Sequence, residues 1–310
     1  MPSVTVSIAL ATFNGERFLE AFLESVCDQT RAPDRIVVVD DASTDGTLEI
    51  LEYFATQLPL EIYRRASNGG HRVAFSEALE RTREDFVVFA DQDDVWEANK
   101  IATLLMNIGD ADLVHSDARV IDEEGQLIHE SWHGFMGHPV LHSTEKYLLG
   151  WNNVTGCTAM LRGSLRTKVL PIPAGVPVHD WWLALYASLG RGIRYVDMPL
   201  IRYRLHGGNA VGAGKVLSLS ETLRQQMAWF GALGENRERL GLTVAQALLV
   251  DRLERVSRQR LVRKILPEWF PWVWENRNLL FAPNATPLQQ CGRAVMTVLG
   301  LPLLRWIGKK

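Results

Sequence analysis

RIVVVDDASTDGTLEILEYF, residues 35–54, joins a strand pattern directly to a helix pattern. The stretch from Arg35 to Asp41 is a β-branched run that ends in two acids, which is typical of a buried strand. Residues 43–54 then repeat apolar side chains at helical spacing, with Ser43 or Thr44 as the N-cap. A buried strand followed by an amphipathic helix is the repeating unit of an α/β protein.

The same alternation runs through the first third of the chain. Strand patterns cover residues 4–10, 60–65 and 85–91, and helix patterns cover residues 18–29 and 71–83. Strands separated by helices predict βαβ units and a largely parallel sheet covered by helices on both faces. We therefore expect a Rossmann-like α/β fold.

Composition and charge divide the chain. Its 310 residues are 47% hydrophobic and 22% charged, typical of a globular, enzyme-sized protein and not of a disordered one. Residues 1–210 carry 18 Lys or Arg against 29 Asp or Glu, whereas residues 211–310 carry 15 against 7. We predict one domain over 1–210 and a helical, basic, Trp-rich region over 211–310.

Cysteines and apolar runs suggest a location. Cys27, Cys157 and Cys291 are widely spaced and odd in number, which indicates neither a disulfide framework nor a zinc site. The first residues lack the basic start of a signal peptide, and no apolar run reaches the roughly 18 residues that span a bilayer. We expect a cytoplasmic protein, and no nucleic-acid partner.

Polar loops follow the first, second and fourth predicted strands, at residues 11–16, 40–46 and 91–96. In a parallel sheet these loops meet at the carboxyl edge, where ligands bind. Asp91, Asp93 and Asp94 fall within four positions, and such like charges need a counter-charge. Mg²⁺ or Mn²⁺ held there can bridge to phosphate oxygens; the alternative is a solvated acidic turn. The motifs GxGxxG and GxxxxGK[ST] are missing, so a dinucleotide-binding oxidoreductase and a P-loop nucleotidase lose their main support.

ALATFNGERFLEAFLESVCDQT, RIVVVDDASTDGT, NGGHRVAFSEAL and FADQDDVW together resemble the family 2 glycosyltransferases over about residues 4–205. The resemblance implies the A-type glycosyltransferase fold, an inverting reaction and a nucleotide-diphosphate-sugar donor. DQDDVW, HDWW and RYRLHGGNAVG are similar to bacterial rhamnosyltransferases of O-antigen and rhamnan synthesis. This narrower likeness implies dTDP-L-rhamnose as the donor and a glycan or lipid-linked glycan as the acceptor.

The resemblance also assigns residues to roles, position by position. Asp93 and Asp94 match the metal-binding acids, and Asp91 is the second choice as a ligand or faces the ribose. Asp41 is alternatively an ordinary acid at a helix start. The residues expected to contact the nucleotide or its diphosphate are Thr12, Asn14, Asp40, Asp41, Asn68, Asp91, His179, Arg204 and His206.

Asp180, in the HDWW motif, matches the family's catalytic base. Inversion needs a base opposite the leaving group to take the proton of the attacking hydroxyl. An N-cap of the following helix is the alternative for Asp180, and a buried structural histidine is the alternative for His179. Asn153 and Thr155 are candidates for the donor-sugar pocket.

The region after residue 215 is interpreted from composition. Basic helices with Trp and Leu favour the headgroup region of an anionic membrane, and a Trp-filled core or dimer interface is the alternative. Other functions remain open: a UDP-hexose-dependent enzyme of the same family, or an inactive sugar-nucleotide-binding scaffold. A sugar-1-phosphate nucleotidyltransferase is disfavoured, because ATFNGERF lacks the Gly-rich loop with Arg and Lys that binds a nucleoside triphosphate.

Overall fold

A computed structural model describes residues 4–137, 143–208, 218–263, 265–281 and 286–299. Two compact units are present. Unit 1 comprises Met1–Leu141, Asn152–Ile172 and Val178–Gly214, and unit 2 comprises His142–Trp151, Pro173–Pro177 and Lys215–Lys310. The division into domains after residue 210 stays a prediction, and two short segments that precede it belong to unit 2. The Gly-rich predicted segment after His206 lies from residue 209 onward outside the described residues, as does the tail from residue 300.

Unit 1 is built on one sheet. The strand order along it is β3-β2-β1-β4-β8-β6-β9-β5, with β7 beside β6. The strands in the described residues are β1 (Val6–Thr12), β2 (Arg35–Asp40), β3 (Leu60–Arg64), β4 (Phe86–Asp91), β5 (Val95–Trp96), β6 (Leu113–Ile121), β7 (Leu127–His129), β8 (Ala159–Arg162) and β9 (Ile193–Arg204).

The helices lie between and after these strands. In the described residues they are α1 (Leu19–Cys27), α2 (Thr47–Phe54), α3 (His71–Arg81), α4 (Lys100–Ile108), α5 (Trp132–Met136), α6 (Thr144–Leu148), α7 (Arg166–Val169), α8 (His179–Leu189), α9 (Leu219–Glu235), α10 (Arg237–Leu240), α11 (Val244–Val262), α12 (Phe270–Glu275), α13 (Arg277–Leu280) and α14 (Pro287–Val298). Helix α6 and helices α9 to α14 belong to unit 2.

The parallel half of the sheet confirms the predicted βαβ units. Strand β1 lies between β2 and β4 and is parallel to both, with β3 parallel to β2 beyond it. The register places Thr12 beside Asp40 and Ala11 beside Asp91. Because these strands run in the same direction, their loops leave the sheet at one edge, as the sequence predicted.

The other half of the sheet is mixed. Strand β8 is antiparallel to β4 and β6, and β9 is parallel to β6. The end of β9 pairs with β5, which places Arg202 beside Val95 and Ile201 beside Trp96. Since β5 directly follows the acidic loop after β4, this pairing brings the last residues of β9 back to the acids.

Apolar periodicity accounts for the packing of unit 1. Helix α1 buries Leu19, Phe22, Leu23 and Val26, the spacing of one helical face, as the sequence predicted. These side chains join a core that is contributed by both halves of the sheet. The α/β class predicted from the alternating patterns is confirmed.

Unit 2 is helical in its described residues after 218, as predicted for the C-terminal region. Helices α9, α11 and α14 each begin with a capping box, formed at α9 by Ser218 and Glu221. A separate small core consists of Leu266, Val273, Phe281, Ala294 and Val298, and Trp269, Phe270, Trp272 and Trp274 pack against it. These aromatic side chains therefore contribute to the unit's own core. No helix in the described part of the chain is long and apolar enough to cross a bilayer.

Candidate active site

Three loops at the carboxyl edge of the sheet are tied together by side-chain to backbone hydrogen bonds. The Gln92 amide accepts from the Phe13 N–H and donates to the Phe13 carbonyl, both at 2.9 Å. The Asn14 N–H donates to Ser43 Oγ at 2.9 Å, and Asn14 Oδ1 accepts the Thr44 N–H at 2.9 Å. Asn14 has a φ of 46°, a region that Asn tolerates better than most residues. The predicted loops after β1, β2 and β4 thus form one connected edge.

Thr12 and Asp40, both predicted to line the nucleotide pocket, bind each other. Thr12 Oγ1 donates to Asp40 Oδ1 at 3.0 Å, and the N–H and hydroxyl of Ser43 donate to the same carboxylate. Thr12 is 1% exposed and Asp40 is fully buried. This carboxylate therefore shapes the loop after β2, and its contact with a nucleotide base stays a prediction.

Asp41 links that loop to the segment before α3. Its carboxylate accepts the N–H groups of Gly69 and Gly70 at 2.9 and 2.7 Å and pairs with the Arg65 guanidinium. The Gly70 N–H also donates to Asn68 Oδ1 at 3.1 Å. Asp41 is buried, whereas Asn68 is exposed. Of the two predicted nucleotide contacts, Asn68 is the one whose side chain reaches the surface.

Asp91 and Asp94 form a group with Cys157 in which the ligand atoms lie within 4.8 Å of one another. Burial, and then the charge of Asp93, raises the pKa of Asp91 to about 7 and the pKa of Asp94 well above its usual range. Asp94 Oδ1 accepts the Arg204 N–H at 3.1 Å. The buried Oδ2 of Asp94 accepts no N–H or O–H hydrogen bond from a described residue. Two buried carboxylates whose pKa values stay raised, although the Cys157 side chain hydrogen-bonds to them, fit a divalent cation.

The chemistry of the Cys157 side chain narrows this donor set. Burial, and then the charge of Asp94, raises the pKa of the thiol well above its usual range. A protonated thiol is a poor ligand, and Mg²⁺ and Mn²⁺ prefer oxygen. The carboxylate oxygens are therefore the ligands that this group offers.

Asp93, predicted to bind metal with Asp94, lies beside His206 in the structure. His206 Nε2 is 2.7 Å from Asp93 Oδ2, and the Gly208 N–H donates to His206 Nδ1 at 3.1 Å. The proton of the imidazole therefore sits on Nε2. Arg204 donates from Nε to the Asp93 carbonyl at 2.9 Å and from Nη1 to the Glu123 carbonyl at 3.0 Å. The metal role of Asp93 stays a prediction, as do the roles of His206 and Arg204 toward a diphosphate.

Asp180 lies in the first turn of α8, where Val178 is the N-cap residue. Its Oδ1 accepts the Asn152 Nδ2–H at 3.1 Å, and its Oδ2 accepts the Gly156 N–H at 3.2 Å. Burial and the nearby charge of Asp91 together raise the pKa of Asp180 to about 7, although the Gly156 N–H acts in the opposite direction. A carboxylate with this pKa is suited to accept a proton at neutral pH.

His179, the residue before Asp180, is buried and 4% exposed. Its ring stacks on Phe75 with 4.1 Å between centroids, and neither ring nitrogen has a hydrogen-bond partner among the described residues. Burial lowers the pKa of His179 to about 3, so the ring is neutral. An enclosed, neutral imidazole favours the structural alternative, and a diphosphate contact stays a prediction.

Gly156→Ala is expected to destabilise the protein by about 1–3 kcal/mol. A Cβ at Gly156 would lie 2.7 Å from His179 Nε2, and that ring is held by Phe75. The turn that donates to Asp180 must then shift. Urea unfolding measures the loss. Gly231→Ala, in α9, is the control: its Cβ meets nothing within 4 Å, so stability should rise by up to about 1 kcal/mol. Unchanged stability of Gly156→Ala would contradict the contact.

Several residues of this edge escaped the sequence analysis. Asn152 donates to Asp180, and the donor-sugar role of its neighbours Asn153 and Thr155 stays a prediction. Lys100 is fully buried and donates from Nζ to the Cys157 carbonyl at 2.6 Å. One signal was available: α4 begins at Lys100, and a helix start ordinarily attracts acids.

The sheet, the acidic loop at its carboxyl edge and the aspartate in the first turn of α8 match the arrangement that the family resemblance implied, the A-type glycosyltransferase fold. The chain belongs to glycosyl transferase family 2, whose family model matches residues 7–168, just over half of the chain. This membership confirms the resemblance found in the sequence.

Curated relatives cover parts of the chain. It is 35% identical over 97 residues to the putative teichuronic acid biosynthesis glycosyltransferase TuaG of Bacillus subtilis, covering 31% of this chain and 38% of TuaG. It is 28% identical over 220 residues to the dTDP-rhamnosyl transferase RfbG of Shigella flexneri, covering 66% of this chain and 74% of RfbG. The matched stretch thus falls well short of the full length of TuaG.

Solved structures with a similar fold include S. aureus TarS 1–349 in complex with UDP-GlcNAc. The TM-score is 0.58 at 19% identity, and the match covers 90% of this chain and 82% of the TarS chain. The UDP complex of the same protein gives a TM-score of 0.57 at 19% identity, over 95% and 89% of the two chains. At this identity the likeness confirms the fold.

Proposed function

We propose that the chain is a metal-dependent, inverting glycosyltransferase that moves a sugar from a nucleotide-diphosphate sugar to a hydroxyl of a glycan or lipid-linked glycan. One observation carries the proposal. Asp180, a carboxylate with a pKa of about 7, is held by Asn152 and Gly156. It lies close enough to Asp91 for the charge of Asp91 to raise its pKa. A base for the acceptor and acids for a metal therefore share one edge. An inactive scaffold would have no need to keep both.

Mg²⁺ or Mn²⁺ is the proposed cofactor. Asp91 and Asp94 would hold the ion, or Asp93 and Asp94 would do so. When bound, such an ion neutralises charge on the diphosphate oxygens of the leaving group. The buried Asp94 Oδ2, which accepts no N–H or O–H hydrogen bond from a described residue, supports a cation at the first pair.

Asp180 is the proposed general base. The acceptor hydroxyl gives its proton to the Asp180 carboxylate, and its oxygen forms a bond to the anomeric carbon. The bond from that carbon to the diphosphate oxygen breaks, and the electron pair leaves with the nucleoside diphosphate. Asn152 and Gly156 keep the carboxylate oriented during this transfer. Attack opposite the leaving group turns a β-configured donor into an α-linked product.

The donor we favour is dTDP-L-rhamnose, and bacterial surface polysaccharide, such as O antigen, is the proposed product class. The likeness to RfbG, named as a dTDP-rhamnosyl transferase, supports this donor, and the name of TuaG supports a surface polysaccharide. A UDP-hexose is the second candidate donor, because the similar TarS structures contain UDP or UDP-GlcNAc.

Calorimetry with dTDP and UDP tests donor and metal together. With Mn²⁺ present, dTDP is expected to bind at least about tenfold more tightly than UDP, and excess EDTA should remove the binding. A tenfold ratio corresponds to about 1.4 kcal/mol of binding free energy. Tighter binding of UDP would move the donor to the UDP-hexoses, and undiminished binding in EDTA would contradict the metal site.

Peripheral contact with the cytoplasmic face of a membrane is proposed for the C-terminal region. Val262, Ile265, Val295 and Met296 are 74%, 50%, 43% and 49% exposed. The chain segments that carry them lie close together in unit 2, since Ile265 pairs with Leu299 across an isolated bridge and Arg260 donates to the Met296 carbonyl. We call these four side chains the apolar patch. The exposed Arg263 follows Val262 directly, and the basic excess of residues 211–310 complements an anionic lipid surface.

Vesicle co-sedimentation checks the apolar patch. The double variant V262E/I265E is expected to lose most binding to vesicles of phosphatidylcholine with phosphatidylglycerol. Insertion of the patch would carry two glutamate side chains into the membrane, which opposes binding. Val244→Glu is the matched control: Val244 is 79% exposed on the same helix, about 27 Å from Val262 along its axis. If V262E/I265E instead converts a dimer to a monomer in vesicle-free solution, the patch binds a second copy and the membrane proposal fails.

A further inference from the structure

Lys100 occupies a position that is unfavourable for a cation on two counts. It is the first residue of α4, where the helix dipole repels positive charge and no acid stands in the first turn. It is also fully buried, and burying an ammonium group costs several kcal/mol unless other groups compensate. A lysine in such a place requires strong partners.

The partners of Lys100 come from two directions. Its Nζ donates to the Cys157 carbonyl at 2.6 Å and lies 3.5 Å from the centroid of the Trp96 ring. A carbonyl dipole and an indole face both attract a cation. Cys157 also places the acids near the lysine, because its Sγ lies within 4.8 Å of a carboxylate oxygen of both Asp91 and Asp94. Burial lowers the pKa of Lys100 to about 7, and the charges of Asp94 and Asp91 are among those that oppose this lowering. The acids and the lysine therefore compensate one another in the same buried space.

The Cys157 carbonyl connects Lys100 to the proposed base. Cys157 is the central residue of the short helical turn Gly156–Thr158. Its neighbour Gly156 donates its N–H to Asp180 Oδ2 at 3.2 Å. The Lys100 ammonium thus tethers the turn that orients Asp180, and the same turn carries the Cys157 Sγ that lies beside the acid pair.

We infer that Lys100 is a positioning residue: a built-in counter-ion that holds Asp91, Asp94 and the Gly156–Thr158 turn in place and competes with the divalent cation for the acids. The inference rests on the proposed metal site. Its consequence is that removing the lysine charge makes the site without metal less stable and makes cation binding tighter.

The competition between Lys100 and the divalent cation is tested by calorimetric titration of the full chain with Mn²⁺ in the absence of nucleotide. Lys100→Met is expected to bind Mn²⁺ about tenfold or more tightly than the unsubstituted protein, the scale of outer-shell effects on metal sites. Lys100→Gln, also uncharged but able to donate to the Cys157 carbonyl, should show the same direction. The exposed Lys168→Met is the control and should leave the affinity unchanged. Equal or weaker Mn²⁺ binding by both neutral variants would overturn the inference.

A double-mutant cycle keeps the inference testable if Lys100→Met folds poorly. In excess EDTA, Lys100→Met should destabilise the protein less when Asp94 is already Asn, because the amide needs no counter-ion. Strictly additive effects in urea unfolding would overturn the role of Lys100 as a counter-ion. If the unsubstituted protein binds no Mn²⁺, the proposed metal site fails, and the cycle still decides whether Lys100 and Asp94 are coupled.

Discussion

Asp180→Asn is expected to lower kcat for sugar transfer by about 10²- to 10⁴-fold, the range that a positioned general base contributes. The amide has nearly the shape of the carboxylate but cannot take a proton from the acceptor. Donor binding, measured by calorimetry, should change little, since the contacts of Asp180 are with Asn152 and Gly156. Loss of transfer with retained donor binding separates a base from a donor ligand.

The pH dependence provides a second readout for the same residue. Burial raises the pKa of Asp180 to about 7, and a base works only when deprotonated. We therefore expect kcat/KM to rise with pH up to about 7 and then level off. Glu49→Gln is a suitable control, because Glu49 is an exposed acid in the first turn of α2. Transfer by Asp180→Asn at the unsubstituted rate would remove Asp180 from the mechanism.

Asp94→Asn is expected to have two opposite effects. Transfer should fall by about 10²-fold or more, because an amide is a weaker ligand for a divalent cation and lacks its counter-charge. The free energy of unfolding in EDTA at pH 8 should rise, because the removed charge is one that Lys100 compensates only in part, as the raised pKa of Asp94 indicates. Asn Oδ1 can still accept the Arg204 N–H that Asp94 accepts.

The sign of this stability effect follows from proton linkage. The pKa values of Asp91 and Asp94 are raised in the folded state, so the folded state binds more protons than the unfolded state. Their contribution is fully present below the unfolded pKa near 4 and is lost as pH rises through about 7, the folded value for Asp91. Asp94→Asn should flatten this decline, whereas the exposed Asp110→Asn should not. A decline of the same steepness in Asp94→Asn would contradict the raised pKa.

The sequence predicted the parts of the fold that rest on local patterns. Strands β1 to β4 and helices α1 to α3 follow from apolar periodicity, and the carboxyl-edge rule brought their loops together. The mixed half of the sheet was not predicted, because β8, β6 and β9 pair across long separations in the chain. No local pattern reports such pairing.

The candidate site divides in the same way. The acids at 91, 93 and 94 form a visible motif, and family resemblance supplied Asp180. Lys100 and Asn152 were missed because their partners lie 57 and 28 residues away, at Cys157 and Asp180. Cys157 is a lone cysteine in the sequence and indicated no role. In the structure its carbonyl accepts the Lys100 ammonium and its buried side chain lies beside Asp91 and Asp94.

The network at the carboxyl edge also determines which positions tolerate replacement. Asp40, Asp41, Gln92 and Arg204 have their hydrogen-bonding groups engaged within the protein, so a substitution there disturbs several loops at once. Phe13, which is 43% exposed, and the exposed Asn68 sit on the same edge at its surface. A mutant library designed to change donor preference should keep the first group fixed and randomise positions such as these two. The edge thus consists of a hydrogen-bonded frame that should be kept unchanged in engineering and of surface positions at which new specificity can be selected.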